Sequence, residues 1–306
     1  MSDIPIVSII VRTKNREVFL KRAILSIINQ TYKNWKAYII NDGGTNDYID
    51  IVAPYIRNEL KEKFIFVDMP LSSGRGGALS TGLNVSSEKY ILIHDDDDTL
   101  EPDFLAKTVN YLEDDEDEVF SGVTTSNYDV YEELKNGEII INKKTDTRGL
   151  KQGTIIDYSI YLSYIGVIIP ISFLFKRDGI KKIGNIDTNL NHMGDYDFFI
   201  RLMQCGEIGI ISDFLCSYHH RKPSGTSADT SRHEKKYDYH LAYRNNIIRA
   251  AIENKSSLKN MQSHFIHGKT INDFHTHHLQ QQIFALTEQF SQLTTVLQDI
   301  VRKVYE

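Results

Sequence analysis

Four short runs rich in β-branched and aromatic residues, Val7 to Val11, Trp35 to Ile40, Phe64 to Val67 and Tyr90 to Ile93, are separated by segments with room for a helix. Nothing else in the chain narrows its fold so far. Between the first two runs, Phe19, Leu20, Ala23, Ile24, Ile27 and Ile28 recur at helical spacing. Helices are likewise expected over Asp47 to Glu62, despite Pro54, over Gly76 to Val85, and over Pro102 to Leu112, where proline opens the first turn. Connections of this length are crossovers, so the strands are expected in a parallel sheet with helices on both faces. After Glu118 the pattern changes. Val119 to Thr125 reads as a strand, Asn136-Gly137 as a hairpin turn, and Ile208 to Ile211 as a further strand. The uncharged stretch Tyr158 to Phe175 carries serines, tyrosines and Pro170, and reads as buried strands broken at the proline rather than a spanning helix.

In an open parallel sheet, ligands collect outside the carboxyl ends of the strands. Here those ends are polar: Arg12-Thr13-Lys14-Asn15, Asn41-Asp42, Ser72-Ser73-Gly74-Arg75, and His94-Asp95-Asp96-Asp97-Asp98. Four successive carboxylates repel one another, and a divalent cation would explain their placement after a buried strand. If that segment is extended, Asp95 and Asp97 face one ligand while Asp96 and Asp98 turn away. Hard oxygen donors suit Mg²⁺ or Mn²⁺, which bridge to phosphate oxygens, so a phosphorylated substrate is implied. The plain alternative is that Asp97 and Asp98 merely open the next helix. Gly74-Arg75-Gly76-Gly77 is neither a Walker loop nor a dinucleotide fingerprint, which argues against an ATPase or a dehydrogenase.

Charge and cysteine content narrow the classes further. With 35 basic and 41 acidic residues the net charge is −6, unlike a dedicated nucleic-acid binder. From Asp95 to Glu118 there are twelve acids and one base, Lys107, leaving 29 acids against 34 bases elsewhere. The acidity is therefore local. Two cysteines, Cys205 and Cys216, make no disulfide framework and suggest a reducing compartment. The opening residues lack a basic lead-in and a long apolar run, so a cytoplasmic location is expected, with room for peripheral contact at the inner face of a membrane.

The ordered motifs resemble family 2 glycosyltransferases of the GT-A fold. Val7 to Arg16 resembles that family's opening strand and turn, and Ser26 to Tyr32 its "S-x-x-x-Q-T-Y" helix end. Asn41-Asp42-Gly43-Gly44-Thr45-Asn46-Asp47 stands for "D-D-G-S-T-D", Gly74 to Gly82 for the glycine-opened helix, and His94 to Pro102 for "D-x-D-D-x-x-x-P". Gly194 to Leu202 is similar to the acceptor-side "E-D-x-D-L-W-L-R-L". Asn41, Gly44, Ser80 and Gly194 depart from the pattern. The resemblance implies an inverting, metal-dependent transferase whose Thr13, Asp42, Arg75, Asp95 and Asp96 contact the nucleotide-sugar. It further implies that Asp97 and Asp95 ligate Mn²⁺ or Mg²⁺, and that Asp195 is the general base. The simpler alternative for Asp195 is an N-cap or first-turn acid on its helix. His219 and His220 precede a basic loop, Arg221 to Gly225, that could cover the diphosphate and supply a third ligand; a solvated loop with incidental histidines is the simpler reading.

The expected donor is a UDP-sugar and the expected acceptor a glycan or lipid-linked glycan, as in bacterial surface polysaccharide assembly, with no nucleic acid involved. A nucleotidyltransferase, a retaining enzyme of the same fold, and a non-catalytic scaffold stand as alternatives. The organisation expected is a GT-A domain over residues 1–231 and a helical C-terminal extension over 232–306. There Leu279, Ile283, Leu286, Phe290, Leu293, Leu297, Ile300 and Val304 form a heptad seam, so a coiled coil over 279–304 and a homo-oligomer are expected.

Overall fold

The computed structural model describes residues 7–148, 150, 155–158, 161, 168–190 and 192–221. The parallel half of the sheet forms as the sequence pattern requires. Strand β1 (Val7–Thr13) is buried along its whole length and pairs in parallel with β2 (Trp35–Asn41) on one side and β4 (Tyr90–Asp95) on the other. Strand β3 (Phe64–Asp68) adds outside β2, also parallel. A strand flanked by strands and covered on both faces has no solvent side to give polar residues, which is why these runs are continuous rather than alternating. Helix α1 (Glu17–Ile28) buries Phe19, Leu20, Ala23, Ile24 and Ile27, the stripe predicted for it.

The expected helix Asp47 to Glu62 is shorter. Helix α2 (Asp47–Val52) gives way to 3₁₀ turns at Ala53–Tyr55 and Asn58–Lys63. Pro54 has no N–H to donate and its ring crowds the preceding turn, so an α-helix cannot run through it. Helix α3 (Gly74–Val85) and α4 (Phe104–Glu113) follow β3 and β4, and a two-residue strand, β5 (Thr99–Leu100), lies between β4 and α4.

The second half is more extended than the sequence suggested. Strand β6 (Phe120–Lys135) and its hairpin partner β7 (Glu138–Arg148) turn at Asn136 and Gly137, whose φ values of 52° and 82° suit a tight hairpin. After a 3₁₀ turn at Pro170–Ser172 come β8 (Phe173–Lys176), α5 (Asp178–Ile183), α6 (Gly194–Leu202) and β9 (Glu207–Arg221). The strands predicted to end at Thr125 and Ile211 run on to Lys135 and Arg221 because β6 and β9 pair in parallel along most of their length. Their later residues, among them Asn127, Asp129, Glu132, Ser217 and His219, are polar yet buried, and this hid the strands from a reading based on apolar runs.

Among the described residues the sheet has nine strands in the order β3-β2-β1-β4-β8-β6-β9-β5, with β7 beside β6. Strand β8 is antiparallel to both β4 and β6. No described helix is long and apolar enough to cross a membrane. Cys205 and Cys216 are both free thiols. The expected helical extension over 232–306, its coiled coil over 279–304 and the basic loop after Arg221 lie outside the described residues.

Candidate active site

The adjacent order β2-β1-β4 brings three polar strand ends to one edge, with Thr13 opposite Asn41 and Arg12 opposite Asp95. Asp42 follows β2, and its N–H donates to the Thr13 carbonyl at 2.9 Å. Its carboxylate accepts from Ser72 Oγ at 2.7 Å and from the Ser73 and Gly74 N–H groups at 2.7 and 3.1 Å, tying β2 to the start of α3. Gly43 makes that approach possible. It has φ +66°, and a Cβ there would lie 2.5 Å from the Ser72 nitrogen.

Two of the departures from the family pattern, Asn41 and Gly44, have physical reasons here. Asn41 Nδ2 is shared among the carbonyls of Gly44 and Thr45 and the carboxylate of Asp68, at 3.2, 3.1 and 2.9 Å. Its Oδ1 accepts from Gly44 N–H at 3.0 Å. An aspartate could not donate, so asparagine is the residue that closes this turn. A Cβ on Gly44 would lie 2.6 Å from the Oδ1 atoms of both Asn15 and Asn41. Ser80 accepts from Asn185 Nδ2 at 3.0 Å.

The four aspartates are not an extended segment. Asp95 ends β4, and the chain turns at once, closed by Asp98 N–H donating to the Asp95 carbonyl at 3.2 Å. Nor does their mutual repulsion by itself demand a metal ion, because arginines surround them. Arg12 pairs with Asp95 through Nε at 2.9 Å and through Nη2, and Arg75 reaches the other oxygen at 2.6 Å. Arg16 spans Asp96 and Asp97 at 2.8 and 2.7 Å. Arg221 pairs with Asp97, Thr13 Oγ1 donates to Asp96 at 2.8 Å, and His219 N–H donates to Asp98 at 3.0 Å.

These partners divide the aspartates into two kinds. Burial raises every one of the four, but Arg12 and Arg75 outweigh it at Asp95, and Arg16 and Arg221 outweigh it at Asp97, so both lie below the usual carboxylate range. At Asp96 burial wins over Arg16, with Asp97 and Asp95 adding to it, and the carboxyl is pushed up to about 7. At Asp98 burial and the charges of Asp97 and Asp95 push it well above the ordinary value. The ionised pair is thus Asp95 and Asp97. Their side chains are 12% and 11% exposed, whereas Asp98 keeps one oxygen, Oδ2, buried without a hydrogen-bond partner. Asp95 and Asp97, the two charged carboxylates, are the oxygen donors that a hard dication would use here. Among the described residues no three His, Cys, Asp or Glu side chains form a ready cage, so donor oxygens and water would complete the coordination.

Arg75 is half exposed and is held charged first by Asp95 and then by Asp195 and Asp97. Asp195 therefore acts on the same edge, from the first turn of α6, where its Oδ1 accepts from Tyr196 N–H at 2.9 Å. Tyr196, Phe198 and Phe199 are buried and anchor that helix. The Cβ of any residue at Gly194 would meet nothing closer than Ile186 at 3.4 Å, so packing does not require glycine there. His219 is a brace in this arrangement. Its Nδ1 lies 2.7 Å from Glu132 and its Nε2 3.1 Å from Thr99 Oγ1, which leaves neither ring nitrogen turned to a cation. His220 Nε2 lies 2.7 Å from Asp129, and its ring stacks on Tyr131.

Sequence reasoning missed the compensating charges of Arg12, Arg16 and Arg221, and the Arg22–Glu132 pair beside them. Arg12 stands near the end of β1 and Arg16 in the polar turn after it, so both were visible. Arg22 lies within an amphipathic helix and Glu132 in a strand with no apolar pattern, so neither carried a signal.

The family described as "Glycosyl transferase family 2" matches residues 8–184. An uncharacterized glycosyltransferase of Methanocaldococcus jannaschii is 31% identical over 221 residues, 71% of each chain. Among solved structures, S. aureus TarS 1–349 in complex with UDP-GlcNAc superposes with a TM-score of 0.62 at 15% identity, over 85% of this chain and 70% of that one. The mannosyltransferase PcManGT from Pyrobaculum calidifontis in complex with GDP-Man and Mn²⁺ gives a TM-score of 0.54 at 14% identity, over 86% and 70%. The fold is GT-A.

Proposed function

The chain belongs to glycosyl transferase family 2, and on that premise we propose that it is an inverting, metal-dependent transferase that moves a sugar from a UDP-sugar to a hydroxyl of a glycan or lipid-linked glycan. The observation that carries this reading is the meeting, at one sheet edge, of an ionised Asp95 and Asp97, the half-exposed Arg75 and the field of Asp195. Likeness in fold to a protein that binds UDP-GlcNAc and to one that binds GDP-Man with Mn²⁺ supports a nucleotide-sugar and a cation.

In this reading Thr13 and Asp42 hold the nucleotide base, with Asp95 and Asp96 on the ribose side. Arg75, charged and able to leave Asp95, orients the diphosphate. Asp97 and Asp95 would hold Mn²⁺ or Mg²⁺, which when bound neutralises charge developing on the diphosphate. Asp195 takes the acceptor's proton as its oxygen bonds to the anomeric carbon, and the bond from that carbon to the diphosphate oxygen breaks on the opposite face, giving inversion. His219 supports this arrangement from behind Asp98 rather than as a ligand.

We assign the chain to surface polysaccharide synthesis in the cytoplasm or at the inner face of the membrane. It would act as a homo-oligomer joined through 279–304, with residues 1–231 as the transferase domain. A panel of sugar nucleotides with Mn²⁺ tests the chemistry by release of UDP. The expected result is turnover of one donor, lowered about a hundredfold or more by Asp97→Asn. Absence of nucleotide binding, with and without Mn²⁺, would refute it.

A further inference from the structure

Glu132 lies in the run Tyr131-Glu132-Glu133-Leu134-Lys135, which reads as a surface strand. Its side chain is nonetheless fully buried. Arg22 from α1 grips it at 2.6 and 3.1 Å, Arg221 from β9 at 2.5 Å, and His219 Nδ1 from β9 at 2.7 Å. Each of these three residues also holds the acidic turn. Arg22 Nη2 donates to the Asp97 carbonyl at 2.6 Å, Arg221 pairs with the Asp97 carboxylate, and His219 N–H donates to Asp98 Oδ1 at 3.0 Å.

The backbone is shaped to put Glu132 there. Parallel pairing sets Glu132 opposite Arg221, while on the other side of β6 the register with β7 slips between Tyr131 and Glu132. Irregularities of this kind re-aim side chains and gather near functional sites. A buried carboxylate shared by two guanidiniums is seldom the most stable way to fill such a space, since apolar residues of similar volume often do as well or better. What an apolar side chain could not do is fix where the two guanidiniums and the imidazole point.

We propose that Glu132 is a positioning residue that sets the Asp95–Asp98 turn through Arg22, Arg221 and His219, and so holds Asp97 in place for the donor's cation. The inference rests on the reading of that turn as the donor edge, and the experiment separates the two.

Native-state hydrogen exchange on the full chain reads the turn without any ligand. Glu132→Gln is expected to speed exchange at the Asp98 and His219 amides by about tenfold or more while the β1–β2 ladder around Ile9 and Ile39 stays protected. Should loss of the charge prevent folding, Glu132→Gln with Arg22→Met also removes the guanidinium whose one carboxylate partner is lost, while Arg221 keeps Asp97, and the His219 amide is then decisive. Mn²⁺ alone, followed by electron paramagnetic resonance, should bind about tenfold more weakly to the variant. Unchanged protection at Asp98 and His219 in a folded variant overturns the proposal, as does acceleration spread evenly over β1 and β2. An Mn²⁺ affinity equal to that of a wild type that binds it overturns it too. A wild-type chain that binds no Mn²⁺ removes the cation from the proposed function, and the exchange comparison then decides Glu132 by itself.

Discussion

Acid should weaken this fold through His94, the last residue of β4 before the aspartates. The ring is fully buried, with Nδ1 2.7 Å from the Asp95 carbonyl oxygen and Nε2 without a partner. A carbonyl only accepts, so Nδ1 carries a proton, and Nε2, buried with no acceptor for a second one, leaves the ring neutral. Burial, against the smaller pull of the Asp95 carbonyl and the Asp95 and Asp97 charges, lowers its pKa from 6.5 to about 4. Between those values the unfolded chain takes up a proton that the folded one refuses. Stability is therefore unaffected above pH 7, falls as the pH drops through 6.5, and has lost the full amount below pH 4, about 3 kcal/mol at 1.36 kcal/mol per unit.

Asp96 acts in the opposite sense. Burial raises its carboxyl to about 7, so the folded state protonates first and gains stability as the pH falls. The wild-type profile alone mixes the two effects, and His94→Asn separates them. Asparagine can still donate to the Asp95 carbonyl and does not titrate. Urea unfolding of the full chain at pH 7, 6, 5 and 4 should find the variant weaker at pH 7 by a fixed packing loss. By pH 4 the difference should have moved in the variant's favour by about 3 kcal/mol. Parallel profiles would refute a buried neutral imidazole at this position.

Gly43→Ala should cost about 2 kcal/mol in urea unfolding, because φ +66° strains any side chain and its Cβ would press on the Ser72 backbone. Donor binding should weaken with it, as Asp42 loses its tie to α3. Asp195→Asn should leave donor affinity within about threefold by calorimetry and lower transfer by roughly 10² to 10⁴; transfer at the wild-type rate would remove Asp195 as the base. A chain ending before Leu279 should sediment as a smaller species than the full chain, and equal masses would rule out association through the heptad seam.

Much of the candidate site was legible residue by residue. Asp42, Arg75 and Asp95 stand at the carboxyl edge where the strand ends placed them, and Asp195 acts on that edge from the helix that the downstream motif marks. A cation would explain the run Asp95 to Asp98, yet Arg12, Arg16, Arg75 and Arg221 already compensate its repulsion. His219, expected near a metal, spends both ring nitrogens on Glu132 and Thr99. Neither result was available from spacing, because every one of these pairs joins residues from separate elements.

The alternating α/β architecture and the polar edge of its parallel half are written in the order of the residues. Both follow from local pattern: buried strands need continuous apolar runs, helices need an apolar stripe, and successive crossovers in one direction leave all strand ends on one side. Which aspartates carry charge, and what holds them, emerges from contacts that form when the chain folds. Arg221 meets Asp97 across 124 positions of sequence and Glu132 across 89. Such contacts depend on the pairing of β6 with β9 and on a slip in register beside Glu132. No periodicity in the chain records either one, because side chains directed into a buried charged cluster follow the geometry of their partners rather than the alternation of a sheet face.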